Sequence, residues 1–272
     1  MADAQDLRYR IGCGPGGANL EEGLTWAADN GFHFVEFGTD LGANAIDRWP
    51  EDRVQRVKAL AREHDLHLGI HTLSAVNTAE FSPFMTDAVD HYLRANIDLA
   101  ARLGAEHVIA HAGLHQSSQV ELRKQSSLAH IKKAAEHAHE VGVELLLENM
   151  NREPDDAEVH YLGHTIDELR PYFEQIPELK WGFSANHAHL LPVDFDGFID
   201  AFGIDRIGLV LVADCRGHIE EHLLPGEGTL DFSRLFKRLE GDGYRGPYTL
   251  TFGNREQRLA GRDYLLARAA GA

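Results

Sequence analysis

Two histidines and a glutamate each close an apolar, strand-like run: His71 ends HLGIH, His111 ends HVIAH and Glu148 ends ELLLE. Neutral imidazole and carboxylate are good ligands for Zn²⁺, Mn²⁺ or a similar divalent ion. A lone histidine at a strand end is more often a hydrogen-bonded structural residue, but three such groups on successive strands converge if those strands are neighbours. A second group follows. It comprises Asn186-His187-Ala188-His189, then Asp214-Cys215-Arg216-Gly217-His218 and Glu220-Glu221-His222, ahead of a tight turn at Pro225-Gly226-Glu227-Gly228. Within it, His187, Glu220 and His222 are candidates for a second ion or for contacts to a polyol. Glu148 and His187 are the candidate catalytic residues. Arg216, whose guanidinium can fork onto phosphate or carboxylate, is the candidate substrate clamp. Asn151, Arg152 and Asp214 are further candidate substrate contacts. His189 and His218 read as solvated loop residues, and His115, His130, His137 and His139 are expected to face solvent in or near a long helix.

Short apolar segments suited to burial on both faces supply the positioning elements: Tyr9–Gly12, His33–Gly38, His67–Leu73, His107–Gly113, Glu144–Met150, Lys180–Ser184, Ile207–Asp214 and Pro247–Gly253. Helical patterns fill the gaps at Leu20–Asn30, Glu51–His64, Thr86–Leu103, Ser117–Val141, Thr165–Phe173, Phe195–Phe202, Asp231–Glu240 and Arg255–Ala270. Eight β-then-α units in 272 residues predict an α/β protein, a single-domain (β/α)8 TIM barrel over residues 1–272. Active sites of such barrels lie at the C-terminal ends of the strands, where the candidate residues fall. A doubly wound open sheet is the alternative, but Cys13-Gly14-Pro15-Gly16-Gly17 lacks the spacing of a dinucleotide-binding turn.

The formal charge of −17 argues against nucleic acid as a partner. No apolar run is long enough to cross a bilayer. The first residues, MADAQDLRYR, lack a basic start followed by an apolar stretch, so a cytoplasmic location is expected. Lysine is restricted to positions 58, 124, 132, 133, 180 and 237. An acid-rich, lysine-poor surface suits a protein that works at high salt, where self-repulsion is screened, and a halophilic source is the expectation. The two cysteines, Cys13 and Cys215, read as small buried hydrophobes.

These residues resemble the sugar phosphate isomerase/epimerase superfamily, which includes xylose isomerase-like barrels, ketose 3-epimerases, inosose dehydratases and endonuclease IV. The resemblance runs through Val35-Glu36, GIHTL around His71, AHAG around His111, LLLENMNRE around Glu148, NHAHLL around His187, EEHLLPGEGTLDF around His222, and GYRGPYTL. It implies a carbohydrate-like small-molecule substrate, a divalent metal and, by analogy, a homodimer. In epimerase-type members one ion is held by Glu, Asp, His and Glu on strands five to eight. Of these only Glu148 is present, since the other positions carry Ser184, Leu211 and Thr251. What remains is similar to the two flanking sites of endonuclease IV: His71, His111 and Glu148 for one ion, His187, Glu220 and His222 for another. Three readings stay open: an isomerase or epimerase, a metal-dependent hydrolase or lyase, and a non-catalytic binding barrel.

Overall fold

Eight parallel strands close on themselves, because β1 (Ile11–Cys13) pairs with both β2 (Phe34–Phe37) and β8 (Tyr248–Leu250). Between them run β3 (His67–His71), β4 (His107–Ala110), β5 (Glu144–Glu148), β6 (Lys180–Ser184) and β7 (Ile207–Val212), each beside its predecessor. The closed ring excludes the open-sheet alternative. The structure is a computed structural model that describes residues 4–17 and 19–271; the remaining positions of the 1–272 domain lie outside the described residues.

The side-chain period of two divides the strands between two cores. Val108 and Ala110 of β4, Leu145 and Leu147 of β5, and Val210 and Val212 of β7 face outward into the layer shared with the helices. Ile109, Leu146, Leu209 and Leu211 face inward and plug the barrel axis. The next inward positions up the strands reach the open rim. Ala110 pairs with Leu147, so the following residues, His111 and Glu148, stand side by side. His71 pairs with Ile109 on the other side. Glycine 69 makes room for this arrangement: a Cβ there would fall within the His107 imidazole, which occupies the barrel interior instead.

The surrounding helices are α1 (Ala4–Arg10), α2 (Leu20–Asp29), α3 (Glu51–Glu63), α4 (Pro83–Leu103), α5 (Val120–Val141), α6 (Ile166–Gln175), α7 (Ala185–His189), α8 (Asp194–Phe202), α9 (Phe232–Gly241) and α10 (Arg255–Ala270). Two were unexpected. Tyr9 and Arg10, read as part of the first strand, end α1, where Arg10 forks onto Glu240 of α9 at 2.8 and 2.9 Å. The NHAH segment, read as a loop, is the short helix α7. A two-stranded antiparallel ladder, Leu114–His115 with His160–Tyr161, joins two loops above the rim.

Solvent exposure of the α5 histidines needs correction. His130 is buried and bonded to Asp90 of α4, and His137 bonds to Asp98 at 2.6 Å, so both join α5 to α4. His139 is exposed as expected, and His115 stacks on His160. Both cysteines are buried and unpaired, as small hydrophobes should be. No described helix is long and apolar enough to cross a membrane.

Candidate active site

At the rim, the Nε2 atoms of His71 and His111 lie 3.2 Å apart. Glu148 Oε2 lies 3.3 Å from the first and 3.1 Å from the second. Three lone-pair atoms therefore form a nearly equilateral triangle. Ligands about 2.0–2.1 Å from a tetrahedral ion would be separated by about 3.3–3.4 Å. The outer nitrogens are oriented too. His71 Nδ1 faces Glu36 Oε2 at 3.5 Å, and His111 Nδ1 faces the Thr72 hydroxyl at 3.4 Å. Metal-binding histidines are held in this way, with the second nitrogen bonded to a carboxylate or similar acceptor. The donor set and its supports thus fit a divalent cation.

Electrostatics point the same way. Burial raises the Glu148 carboxyl, but hydrogen bonds from His111 and His71 outweigh it and hold the pKa well below the ordinary carboxylate value. Burial lowers His71, yet its bonds to Glu148 and Glu36 win and lift it to about 10. His111 is lowered, chiefly by burial. Two negative groups, Glu36 and Glu148, bracket one imidazole in a buried place, and a positive charge there is stabilised whether a proton or an ion carries it.

The second group is looser. His187 Nε2 lies 3.4 Å from Glu220 Oε2, and His222 Nδ1 lies 3.8 Å from Glu220 Oε1. Both Glu220 oxygens already accept hydrogen bonds, from Asn186 Nδ2 at 2.6 Å and from the His222 backbone at 2.7 Å. His187 is buried, and its Nδ1 donates to the Asn149 carbonyl at 2.8 Å. That bond fixes the tautomer and leaves Nε2 with a free lone pair. His222 has a left-handed backbone (φ 49°) and packs on Phe252.

His71, His111, Glu148, His187, His222, Asn151, Ser184 and Thr251 line one small cavity, so the structure brings most candidate residues together. Asn151 donates to Glu153 at 2.6 Å. Leu211 lies in the plug beneath, in register with Ser184. Three expected substrate contacts are not among the residues lining that cavity and have other partners. Asp214 is buried and accepts four backbone N–H groups, from Cys215, Gly226, Gly228 and Leu230 at 2.9–3.1 Å; it anchors the loop of the glycine turn. Arg216 is exposed and bonds Glu221 through its backbone amide and one guanidinium nitrogen. Arg152 is exposed and pairs with Asp155 at 2.7 Å. His189 is half-buried, bonded to Asp194 and Thr229, whereas His218 is exposed as expected.

Sequence reasoning missed two supports. His107 bonds Glu36 Oε1 at 3.4 Å from inside the barrel, and only the adjacent Gly69 hinted at it. Asn149 Oδ1 accepts from Trp181 Nε1 and the Ser184 amide at 3.0 and 2.8 Å, tying β5 to β6 and setting the carbonyl that orients His187.

Comparison with known proteins agrees with this architecture. L-ribulose-5-phosphate 3-epimerase UlaE of Salmonella heidelberg (strain SL476) is 28% identical over 275 residues, covering 95% of this chain and 93% of its own. The crystal structure of a D-tagatose 3-epimerase-like protein superposes with a TM-score of 0.82 at 21% identity, over 96% of this chain and 97% of its own. An L-ribulose 3-epimerase structure gives 0.75 at 20% identity, over 97% and 93%. The model of the family described as xylose isomerase-like TIM barrel matches residues 24–268, and the chain belongs to that family.

Proposed function

We propose that this protein is an isomerase or epimerase of a small polyhydroxy carbonyl compound, with a divalent ion held by His71, His111 and Glu148. The observation that carries this is the triangle of three ligand atoms, 3.1–3.3 Å on a side, at the mouth of the barrel. The epimerase relatives and fold neighbours support the sugar class. A divalent ion there would polarise the carbonyl and a neighbouring hydroxyl, acidifying the carbon-bound proton beside them.

The chain's own residues divide the remaining work. Glu148, held well below the ordinary carboxylate range, is a weak base and a good ligand. His187 is the candidate proton carrier, because its free Nε2 borders the same cavity and faces Glu220 at 3.4 Å. Thr251 and Phe252 close the β8 side. Inversion at a carbon needs a second base on the opposite face, and β8 offers Thr251 where a carboxylate would serve. Proton transfer between neighbouring carbons on one face needs a single base. Aldose–ketose isomerisation therefore suits this site better than epimerisation.

The test is exchange in D₂O with a panel of pentoses, hexoses and their phosphates, using protein purified without a metal-affinity tag and assayed for bound metal. We expect about one ion per chain and deuterium at the carbon beside the carbonyl. His187→Ala should abolish the exchange while keeping the ion. A hydrolase on this scaffold would cleave its substrate without labelling that carbon. A metal-free protein whose melting is indifferent to EDTA would support a binding barrel.

A further inference from the structure

Four arginines are buried among the described residues: Arg10, Arg53, Arg258 and Arg262. Three have hydrogen-bond partners for their guanidinium groups, although Arg262 Nε itself is sealed without one. Arg10 forks onto Glu240, and Arg53 forks onto Glu21 at 2.9 Å through both arms. Arg262 donates to the carbonyls of Asn30 and Gly31 and lies over the Phe32 ring. Arg258 is different. It is 9% exposed and its Nε is sealed from solvent, and among the described residues no ion pair or side-chain hydrogen bond reaches it. Burial presses its pKa down, yet guanidinium remains charged near neutrality. A buried cation without a counter-ion is unfavourable until an anion supplies one.

Its surroundings say where that anion would sit. Arg258 lies in the first turns of α10 and faces a cavity of about 260 Å³ lined by Gly14, Gly16, Gly17, Glu36, His71 and Thr251. The glycine-rich turn after β1 forms one wall. A Cβ on Gly16 would come to 3.1 Å from Arg258 Nη1, and the turn runs through φ of +60° and +106° at Gly16 and Gly17, which side chains disfavour. The guanidinium is thus left uncovered by side chains of the turn. Glu36 shares the cavity, with His71 at 3.5 Å and His107 at 3.4 Å facing its two oxygens. His71 and Thr251 also line the cavity over Glu148, so one elongated molecule can reach both places.

We propose that Arg258 and the Gly14–Gly17 turn form an anion subsite for the phosphate or carboxylate of an acidic sugar, whose carbonyl end lies over His71, His111 and Glu148. This rests on the sugar-isomerase reading and narrows it to charged substrates. It also gives the glycine turn a role, and it moves the substrate clamp from Arg216, already paired to Glu221, to Arg258.

Calorimetric titration of the intact protein with ribulose 5-phosphate, ribonate, ribulose and inorganic phosphate tests it. One charged sugar should bind at least about tenfold more tightly than ribulose, and which one distinguishes phosphate from carboxylate. In Arg258→Gln that ratio should fall to within about twofold; in Arg258→Lys, which keeps the charge and loses the fork, it should be intermediate. Equal binding of charged and neutral sugars by the unmutated protein would overturn the subsite, as would a preference that survives in Arg258→Gln. If Arg258→Gln does not fold, an undiminished preference in Arg258→Lys overturns it. Binding of inorganic phosphate alone, lost in Arg258→Gln, would uphold the subsite and count against the sugar reading. Failure of every charged probe to bind would overturn the subsite and leave the isomerase reading to the exchange assay.

Discussion

The two halves of the barrel rim differ sharply. His71 and Glu148 end β3 and β5 and His111 follows β4, with their ligand atoms 3.1–3.3 Å apart. Strands β6 to β8 place Ser184, Leu211 and Thr251 at the inward positions of the other half. Leu211 is 1% exposed and packs on Ile109, Leu146 and Leu209, so part of that half has been turned into hydrophobic plug. The contrast shows that one half of the rim keeps a cluster of candidate ligands while the other does not. The supports of the β3–β5 half, Glu36, His107 and Thr72, come from β2, β4 and the end of β3, and His187 faces Glu148 from the other half at 3.4 Å.

The contrast can be broken most severely at His111. His111→Ala should lose the bound ion and most exchange activity. If the ion is present at about a hundred times its Kd it contributes about 2.7 kcal/mol, so EDTA should lower the melting temperature of the unmutated protein by roughly 5–10 °C and leave His111→Ala unmoved. Scanning calorimetry with and without EDTA measures this.

Rebuilding the other half is the converse. The triple variant Ser184→Asp, Leu211→His, Thr251→Glu should be destabilised by about 3–5 kcal/mol in EDTA, because it buries unpaired polar and charged groups. With Mn²⁺ it should recover much of this and bind a second ion, read by denaturant unfolding and metal analysis.

The supports come next. Glu36→Gln should weaken metal affinity by about 10–100-fold with little change of fold, as chelator competition would show.

A control lies away from the rim. Glu168 pairs with His164, whose Nδ1 lies 3.1 Å away and also bonds the Tyr161 carbonyl at 2.8 Å, and accepts from the Gly163 amide at 3.0 Å. Burial raises its pKa, but the bonds from His164 outweigh this and hold it at about 2, against 4.5 for the free group. A lowered carboxyl contributes stability that is complete above about pH 4.5 and disappears as pH falls towards 2. Glu168→Gln should flatten that limb of the stability curve by on the order of 1–2 kcal/mol, after allowance for partial exposure, and leave metal binding as it was. The smallest expected effect is global. With a charge of −17, the melting temperature should rise from low salt to molar KCl; an unchanged value would contradict the halophilic expectation.

The barrel was legible because eight doubly buried strands leave a plain hydrophobic rhythm, and the meeting of His71, His111 and Glu148 because each is the last residue of such a run. The existing partners of three other candidates were not legible. Asp214, Arg216 and Arg152 have chemically suitable side chains, but sequence does not reveal a partner already waiting: four backbone amides, Glu221 and Asp155 respectively. His130 and His137 looked solvated because a polar helix gives no sign of the acids opposite it on α4. Arg258 was invisible for the opposite reason, since being unpaired is a property only of the folded chain. Tyr9 and Arg10 were assigned to the first strand because an apolar run cannot say where α1 ends.

The central claim is that His71, His111 and Glu148 hold one divalent ion. Anomalous diffraction from crystals of protein purified without an affinity tag tests it most directly. The account predicts a single strong peak about 2.0–2.2 Å from both Nε2 atoms and from a Glu148 oxygen. A full-occupancy ion elsewhere in the rim, or an ordered rim that stays free of metal in millimolar Mn²⁺ and Zn²⁺, would contradict it.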